Sequence, residues 1–167
     1  MLSSKAKEWI ANGNLDVKLA YLYVCNPDKA KDYRNRLIKA IENFEKRYGT
    51  DRDIRIFSAP GRTEVGGNHT DHQRGNVLAA SVNLDVIAVV SKREDSRVQV
   101  ESEGYPADTL DADDLGKKKE EKNTSSALIR GILSRYAQMG YRVGGFEAYT
   151  TSNVLSGSGL SSSAAFE

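Results

Sequence analysis

The chain has few of the residues that mark disulfide-bonded proteins. Its 167 residues include one cysteine, Cys25, and three prolines. A single cysteine excludes an internal disulfide framework and fits a reducing compartment. A lone thiol is more often a small buried hydrophobe than a nucleophile, so we assign Cys25 no role.

Long hydrophobic runs and an excess of either charge are also missing. Residues 1–8 contain no apolar signal core, and no run in the sequence reaches the length of a membrane span. The 24 basic and 23 acidic side chains leave a formal net charge of +1, which favours neither nucleic acid nor a membrane surface as a partner. We therefore expect a cytoplasmic protein whose partners are small molecules bound at local sites.

The spacing of apolar residues changes after the first part of the chain. Residues 3–48 have helical spacing, which is interrupted at residues 26–28 and ended by Gly49, and they carry no visible chemistry. We interpret residues 1–50 as a helical N-terminal extension that packs against the remainder, residues 51–167.

The remainder combines strand and helix patterns. We predict strands over residues 54–57, 77–90, 97–101 and 146–150, and a helix over residues 125–139. Polar interruptions in 77–90 leave two interpretations open, two strands or one bent strand. Ala59-Pro60-Gly61 is interpreted as a turn, and residues 111–122 as a solvated loop with a helix start.

A glycine- and serine-rich segment near the end of the sequence predicts a phosphate site. Residues 157–165 read GSGLSSSAA, in which two glycines let a ligand approach the main chain and the serines and alanines begin a helix. Unpaired N–H groups at a helix start favour an anion such as a triphosphate, and serine hydroxyls can ligate Mg²⁺. The segment fits neither a Walker A loop nor G-x-G-x-x-G, and a flexible linker is the alternative.

A polar block follows the predicted strand at residues 54–57. Residues 62–73 contain Arg, Glu, Asn, Asp and two His side chains, which suits a ligand with many hydroxyl groups. Two other interpretations stay open. His69 and His72 with Asp71 have the spacing of a metal site, as in a metal-dependent hydrolase, or the block is a turn network without a ligand.

Together, the polar block and the glycine loop, residues 157–163, resemble the galactokinase branch of the GHMP small-molecule kinases. The family pattern is in effect P-G-R-x-N-x-I-G-E-H-T-D-Y followed by G-x-G-L-S-S-S-A-A, and both segments occur here in that order. The resemblance covers residues 54–167 and implies an α+β fold. That fold is a mixed β-sheet with helices packed on one face and a left-handed βαβ crossover, of which residues 51–167 would form an incomplete N-terminal domain.

The resemblance implies ATP-dependent, Mg²⁺-assisted transfer of a phosphoryl group to the anomeric hydroxyl of galactose or a related sugar. Arg62 matches the catalytic arginine between sugar and phosphate, and Ser163 matches a hydroxyl ligand for Mg²⁺. The implied sugar-binding residues are Glu64, Asn68, His69 and Asp71. The implied ATP-binding residues are Gly157, Ser158, Gly159, Leu160, Ser161, Ser162 and Ser163.

Three departures from the family pattern concern the sugar. Glu64 replaces an asparagine, Asn68 replaces a glutamate and His72 replaces a tyrosine. By the resemblance, the family glutamate at the position of Asn68 binds the 6-hydroxyl of the sugar. A neutral amide in its place would not repel an acidic sugar such as galacturonate. Our hypothesis is that specificity at C6 is altered or relaxed, with a kinase for an acidic sugar such as galacturonate as an alternative and galactose as the leading candidate. A milder interpretation is that the neighbouring Glu64 carboxylate supplies the missing contact to the 6-hydroxyl.

The family places its catalytic aspartate and an acidic Mg²⁺ ligand downstream of the glycine loop. We therefore expect residues 1–167 to be inactive alone and to expose apolar strand surface that favours self-association. A non-catalytic, galactokinase-like sensor of sugar and ATP is the alternative, although the intact residues 161–165 favour an enzyme. Mevalonate and homoserine kinases share the glycine loop but are not expected to carry the polar block.

Overall fold

Five α-helices and five β-strands make up the part of the chain that the structure, a computed structural model, describes: residues 1–67, 75–154, 157 and 159–167. The helices are α1 (Ser3–Ala11), α2 (Asp16–Leu22), α3 (Pro27–Tyr48), α4 (Ser125–Gln138) and α5 (Ser162–Phe166). The strands are β1 (Ile54–Gly66), β2 (Leu78–Lys92), β3 (Arg97–Ser102), β4 (Asp108–Asp111) and β5 (Phe146–Ser152). No helix in these ranges is both long and apolar enough to cross a membrane.

The strands form one mixed sheet in the order β1-β2-β5-β3-β4. The β1–β2, β2–β5 and β3–β4 pairs are antiparallel, and β3 pairs with β5 in parallel. The chain passes from β3 to β5 through β4 and α4, and this is the crossover that the resemblance implied. The expected α+β fold is therefore confirmed, and the left hand of the crossover stays a prediction.

Helices cover both faces of the sheet. Adjacent residues of a strand point to opposite faces. On one face Val89 and Tyr149 pack with α1, α2 and α3 in a single core, and on the other Val90 and Ala148 pack with α4 and Phe166 of α5. Helices α4 and α5 thus share one face as expected, while the N-terminal helices cover the opposite face.

Local signals explain the long helix α3. The Asn26 side chain accepts a hydrogen bond from the Lys29 N–H at 3.3 Å, and Pro27 occupies the first turn, where its missing N–H costs nothing. Gly49, with φ at 92°, ends the helix. The predicted interruption at residues 26–28 is therefore a helix start, and the helical prediction for residues 3–48 is confirmed.

The predicted turn at residues 59–61 is wrong. Strand β1 continues through Pro60 to Gly66, with a register shift between Pro60 and Arg62. Proline cannot donate a hydrogen bond to a neighbouring strand, and it is tolerated within β1 because β1 lies at the edge of the sheet. Arg62 consequently lies within a strand. Strand β2 is a single element, and the short strand β4 was not predicted.

Gly145 allows a close approach of backbone segments just before β5. A Cβ atom there would lie 2.6 Å from the Arg97 carbonyl oxygen and closer still to that of Asp95, whereas one on Gly144 would meet nothing within 4 Å in the part of the chain that the structure describes. We expect Gly145→Ala to lower the free energy of unfolding by about 1–3 kcal/mol, because backbone atoms must move apart. Equilibrium urea unfolding beside the control Gly144→Ala checks this. Equal loss in both variants would contradict it.

Candidate active site

The end of β1 presents two charged side chains of the polar block. Arg62 and Glu64 are two residues apart on the strand and so point to the same side. The Arg62 Nη1 donates to Glu64 Oε1 at 2.9 Å, while the Arg62 side chain stays 46% exposed. The carboxylate therefore orients a guanidinium that remains accessible to a ligand.

The second oxygen of Glu64 is available for another bond. Glu64 Oε2 is buried and accepts no hydrogen bond among the residues that the structure describes. A buried carboxylate oxygen is stable only when a donor satisfies it. This atom is thus a natural acceptor for a hydroxyl group of a ligand.

The strand end and the glycine loop meet directly, although they are far apart in the sequence. The Arg62 N–H donates to the Leu160 carbonyl oxygen at 3.0 Å. A Cβ atom on the preceding residue, Gly61, would lie 3.0 Å from that oxygen and 3.2 Å from side-chain carbons of Val154 and Val82. Glycine at position 61 therefore permits the approach of the loop to the strand.

The glycine loop has an unusual backbone. Gly157 and Gly159 both have φ at 75°, and Ser161 adopts the left-handed conformation with φ at 57° and ψ at 49°. The helix predicted from the serines and alanines begins at Ser162, because the left-handed Ser161 lies outside the helical path. A left-handed residue other than glycine costs about 1–3 kcal/mol and is common where a loop binds a ligand.

A cavity of about 560 Å³ opens beside α5, on the α4 side of the sheet. Its lining combines apolar side chains and hydroxyl groups with the carboxylates of Glu103 and Asp108, and it includes Val86, Ser102, Tyr105, Leu128, Val154, Ser162, Ser163 and Phe166. A larger cavity of about 980 Å³, lined partly by residues 115–119, contains no residue of the polar block or the glycine loop. The smaller cavity is therefore the candidate site for a phosphorylated ligand. Sequence reasoning missed Tyr105 and Leu128 because no motif marks them.

Several predicted site residues lie outside the described part of the chain. They are Asn68, His69, Asp71 and Ser158, together with His72 of the alternative metal site. Among the described residues, no group of three His, Cys, Asp or Glu side chains is arranged to hold a metal ion. Ser163, the predicted Mg²⁺ ligand, lies in the described part of the chain and is exposed.

Comparison with known proteins agrees with this geometry. The family described as the galactokinase galactose-binding signature matches residues 42–92, which run from α3 to the end of β2. The galactokinase of Clostridium tetani is 33% identical over 127 residues, covering 75% of this chain and 32% of that protein. The chain thus spans about a third of the length of the curated relatives it matches.

Solved structures show the same relationship. The crystal structure of Lactococcus lactis galactokinase complexed with galactose superposes with a TM-score of 0.71 at 32% identity, covering 78% of this chain and 34% of that one. Methanococcus jannaschii mevalonate kinase, at 13% identity and a TM-score of 0.56 over 68% of this chain and 37% of that one, shares the fold. The polar block, the glycine loop and these matches together support the assignment of this chain to the galactokinase branch of the GHMP small-molecule kinases, of whose members it spans a part.

Proposed function

We propose that the protein carrying this chain transfers a phosphoryl group from ATP to the anomeric hydroxyl of galactose or a related sugar. The observation that carries the proposal is the hydrogen bond from the Arg62 N–H to the Leu160 carbonyl oxygen at 3.0 Å. It supports the proposal because it joins the end of β1, which carries Arg62 and Glu64, to the glycine loop. Phosphoryl transfer depends mainly on such positioning and on stabilisation of charge.

Arg62 and Glu64 have complementary roles in this proposal. The accessible Arg62 guanidinium stabilises negative charge on the transferred group or lowers the pKa of the attacking hydroxyl. Glu64 orients that guanidinium through Oε1 and accepts a hydrogen bond from a sugar hydroxyl through Oε2. Asn68, His69 and Asp71 complete the sugar site by the family resemblance.

ATP would bind across the glycine loop and the cavity beside α5. The main chain of the glycine loop would bind the phosphates, and a cavity of about 560 Å³ has the size of a small-molecule site. Ser163 would supply one oxygen to Mg²⁺, with phosphate and water oxygens completing its coordination. The bound ion would neutralise charge between the phosphates. A cytoplasmic location and self-association of residues 1–167 stay predictions.

The Glu64 carboxylate favours a neutral sugar over galacturonate. Its buried Oε2 lacks a described partner and would repel a sugar carboxylate placed nearby. We expect kcat/KM for galactose to exceed that for galacturonate by about a hundredfold, because like charges in contact cost several kcal/mol. Coupled ADP release with both sugars checks this. Equal rates would instead favour Asn68 as the group that decides specificity.

The proposed function is tested with the longest protein that the gene encodes, beside residues 1–167. ADP release with Mg-ATP and a panel of sugars should require a sugar, and ³¹P NMR should show a phosphate at the anomeric position. The shorter chain should be inactive. If the folded longer protein binds ATP and galactose in calorimetry but releases no ADP, the kinase proposal is wrong and a sensor is indicated.

A further inference from the structure

A buried carboxylate lies on the sheet face that the N-terminal helices cover. Asp85 of β2 is 2% exposed and shares that face with Ile87 and Val89, two residues and four residues further along the strand. The Tyr23 and Ser58 hydroxyls each donate to Asp85 Oδ2 at 2.5 Å. The sequence showed this residue as one polar interruption of an apolar strand.

An arginine from α3 completes the side-chain partners of Asp85. Arg36 Nη1 donates to Asp85 Oδ1, and Arg36 Nη2 donates to the Asp85 carbonyl oxygen at 2.9 Å and to that of Thr151 at 3.3 Å. The Arg36 side chain is 18% exposed, so the ion pair is largely removed from water. This group thus joins α2, α3, β1, β2 and β5.

The main chain of Asp85 is held as firmly as its side chain. The Asp85 N–H donates to Asn153 Oδ1 at 2.7 Å, and the Asn153 N–H donates to the Asp85 carbonyl oxygen at 3.2 Å. Asn153 is the first residue after β5, and Val154 next to it lines the candidate ATP cavity and lies against Gly61. Asp85 therefore sets the point from which the chain leaves β5 for the glycine loop.

The other partners of Asp85 are equally close to the site. Ser58 lies on β1 four residues before Arg62, and Val86, next to Asp85, lines the candidate ATP cavity. We call this group the Asp85 cluster; its members are Tyr23, Arg36, Ser58, Asp85 and Asn153. From the sheet face that the N-terminal helices cover, it holds both the strand that leads to the polar block and the segment that leads to the glycine loop. A shift of any member would move the Arg62 end of β1 relative to the glycine loop.

The hydrogen bonds and the ion pair of the Asp85 cluster are better suited to fixing segments in place than to stabilising the core. Burying a charged pair costs desolvation energy, and apolar side chains of similar size often hold a core equally well. Burial and the hydrogen bond to Asp85 raise the pKa of Tyr23 well above its ordinary value, so its hydroxyl stays a donor at neutral pH. Each of its directional bonds fixes one segment in one place.

We propose that Asp85 is a positioning residue for phosphoryl transfer. We further propose that Tyr23, at the end of α2, and Arg36 of α3 help to position the active site through Asp85. This inference rests on the proposed function. It assigns a role to the N-terminal helices, which carry no residue of either motif. Their loss would separate the strand end from the glycine loop without removing any group that touches ATP or sugar.

A matched pair of tyrosine variants of the longest gene product tests this. Tyr23→Phe removes a bond to Asp85, while Tyr48→Phe removes a bond of 3.2 Å from the same helical layer to the Ala148 carbonyl oxygen. Both should lower the urea midpoint, but only Tyr23→Phe should change the KM for ATP and kcat. Asp85→Asn should lower kcat/KM for ATP more strongly, by about tenfold to a hundredfold, with partial rescue in Asp85→Glu.

Hydrogen exchange provides a readout that does not need activity. In Asp85→Asn, mass spectrometry should show faster exchange in peptides covering residues 58–64 and 159–166 than in wild type or Tyr48→Phe. Unchanged exchange together with wild-type kcat and KM in Tyr23→Phe and Asp85→Asn would overturn the positioning role. An inactive wild-type protein would contradict the proposed function alone, since the exchange result would still decide the role of Asp85.

Discussion

Replacing Arg62 by alanine should lower kcat of the longest gene product by about 100-fold to 1,000-fold, the cost of losing one group that stabilises charge in a transition state. The KM for galactose should change far less. Arg62 is 46% exposed, and its one described side-chain partner is Glu64 at 2.9 Å. Its loss therefore removes a ligand-facing cation without opening the core.

Two further variants separate charge from geometry. Arg62→Lys keeps the charge but lacks the planar guanidinium, which can donate to Glu64 and to a phosphoryl oxygen simultaneously. It should therefore recover only part of kcat. Arg55→Ala, at another exposed arginine of β1, is the control and should behave as wild type. Coupled ADP release measures all three. An Arg62→Ala enzyme with more than about a tenth of wild-type kcat would contradict the catalytic assignment.

The second large effect is expected at Gly61. A methyl group there would lie 3.0 Å from the Leu160 carbonyl oxygen and 3.2 Å from carbons of Val154 and Val82. Because contacts surround this position on several sides, Gly61→Ala must push the glycine loop away from β1. We expect the KM for ATP to rise about tenfold and the free energy of unfolding to fall by about 1–3 kcal/mol.

Gly66→Ala is the matched control for Gly61→Ala. Gly66 ends the same strand, and a Cβ atom there would meet no atom of the described residues within 4 Å. Isothermal titration with a non-hydrolysable ATP analogue and urea unfolding of both variants provide the two measurements. If Gly61→Ala binds the analogue as tightly as Gly66→Ala does, the contact between strand and loop does not position the nucleotide.

Local patterns predicted most of the secondary structure. The Asn26 cap, Pro27 and Gly49 mark the ends of α3, and alternation of polar and apolar residues marks β3. The continuation of β1 through Pro60 was missed, because only the edge position of the strand makes proline acceptable there. The left-handed conformation of Ser161 just before α5 was not predicted, because it is not evident from its side chain.

The candidate site, too, was predicted only in part from the sequence. The residue types of the polar block and the glycine loop indicated a sugar and a triphosphate, because hydroxyl and phosphate groups each need particular donors and acceptors within a short segment. The pairing of Arg62 with Glu64 was not foreseen, because it depends on β1 extending beyond Pro60. The cavity lining was not foreseen either, because Leu128 of α4 and Tyr105 of the segment between β3 and β4 are far apart in the sequence.

The amino-acid sequence by itself determined the helices, most strands, the two motifs and the family, because caps, alternation and motif chemistry act over a few neighbouring residues. Only the tertiary structure decided that Gly61 lies against Leu160, and that Asp85 bonds Tyr23 and Asn153 across sequence separations of 62 and 68 residues. Such contacts depend on how the strands are ordered in the sheet and how helices pack on it. Local propensity does not encode that order, whereas burial of the shared core selects it.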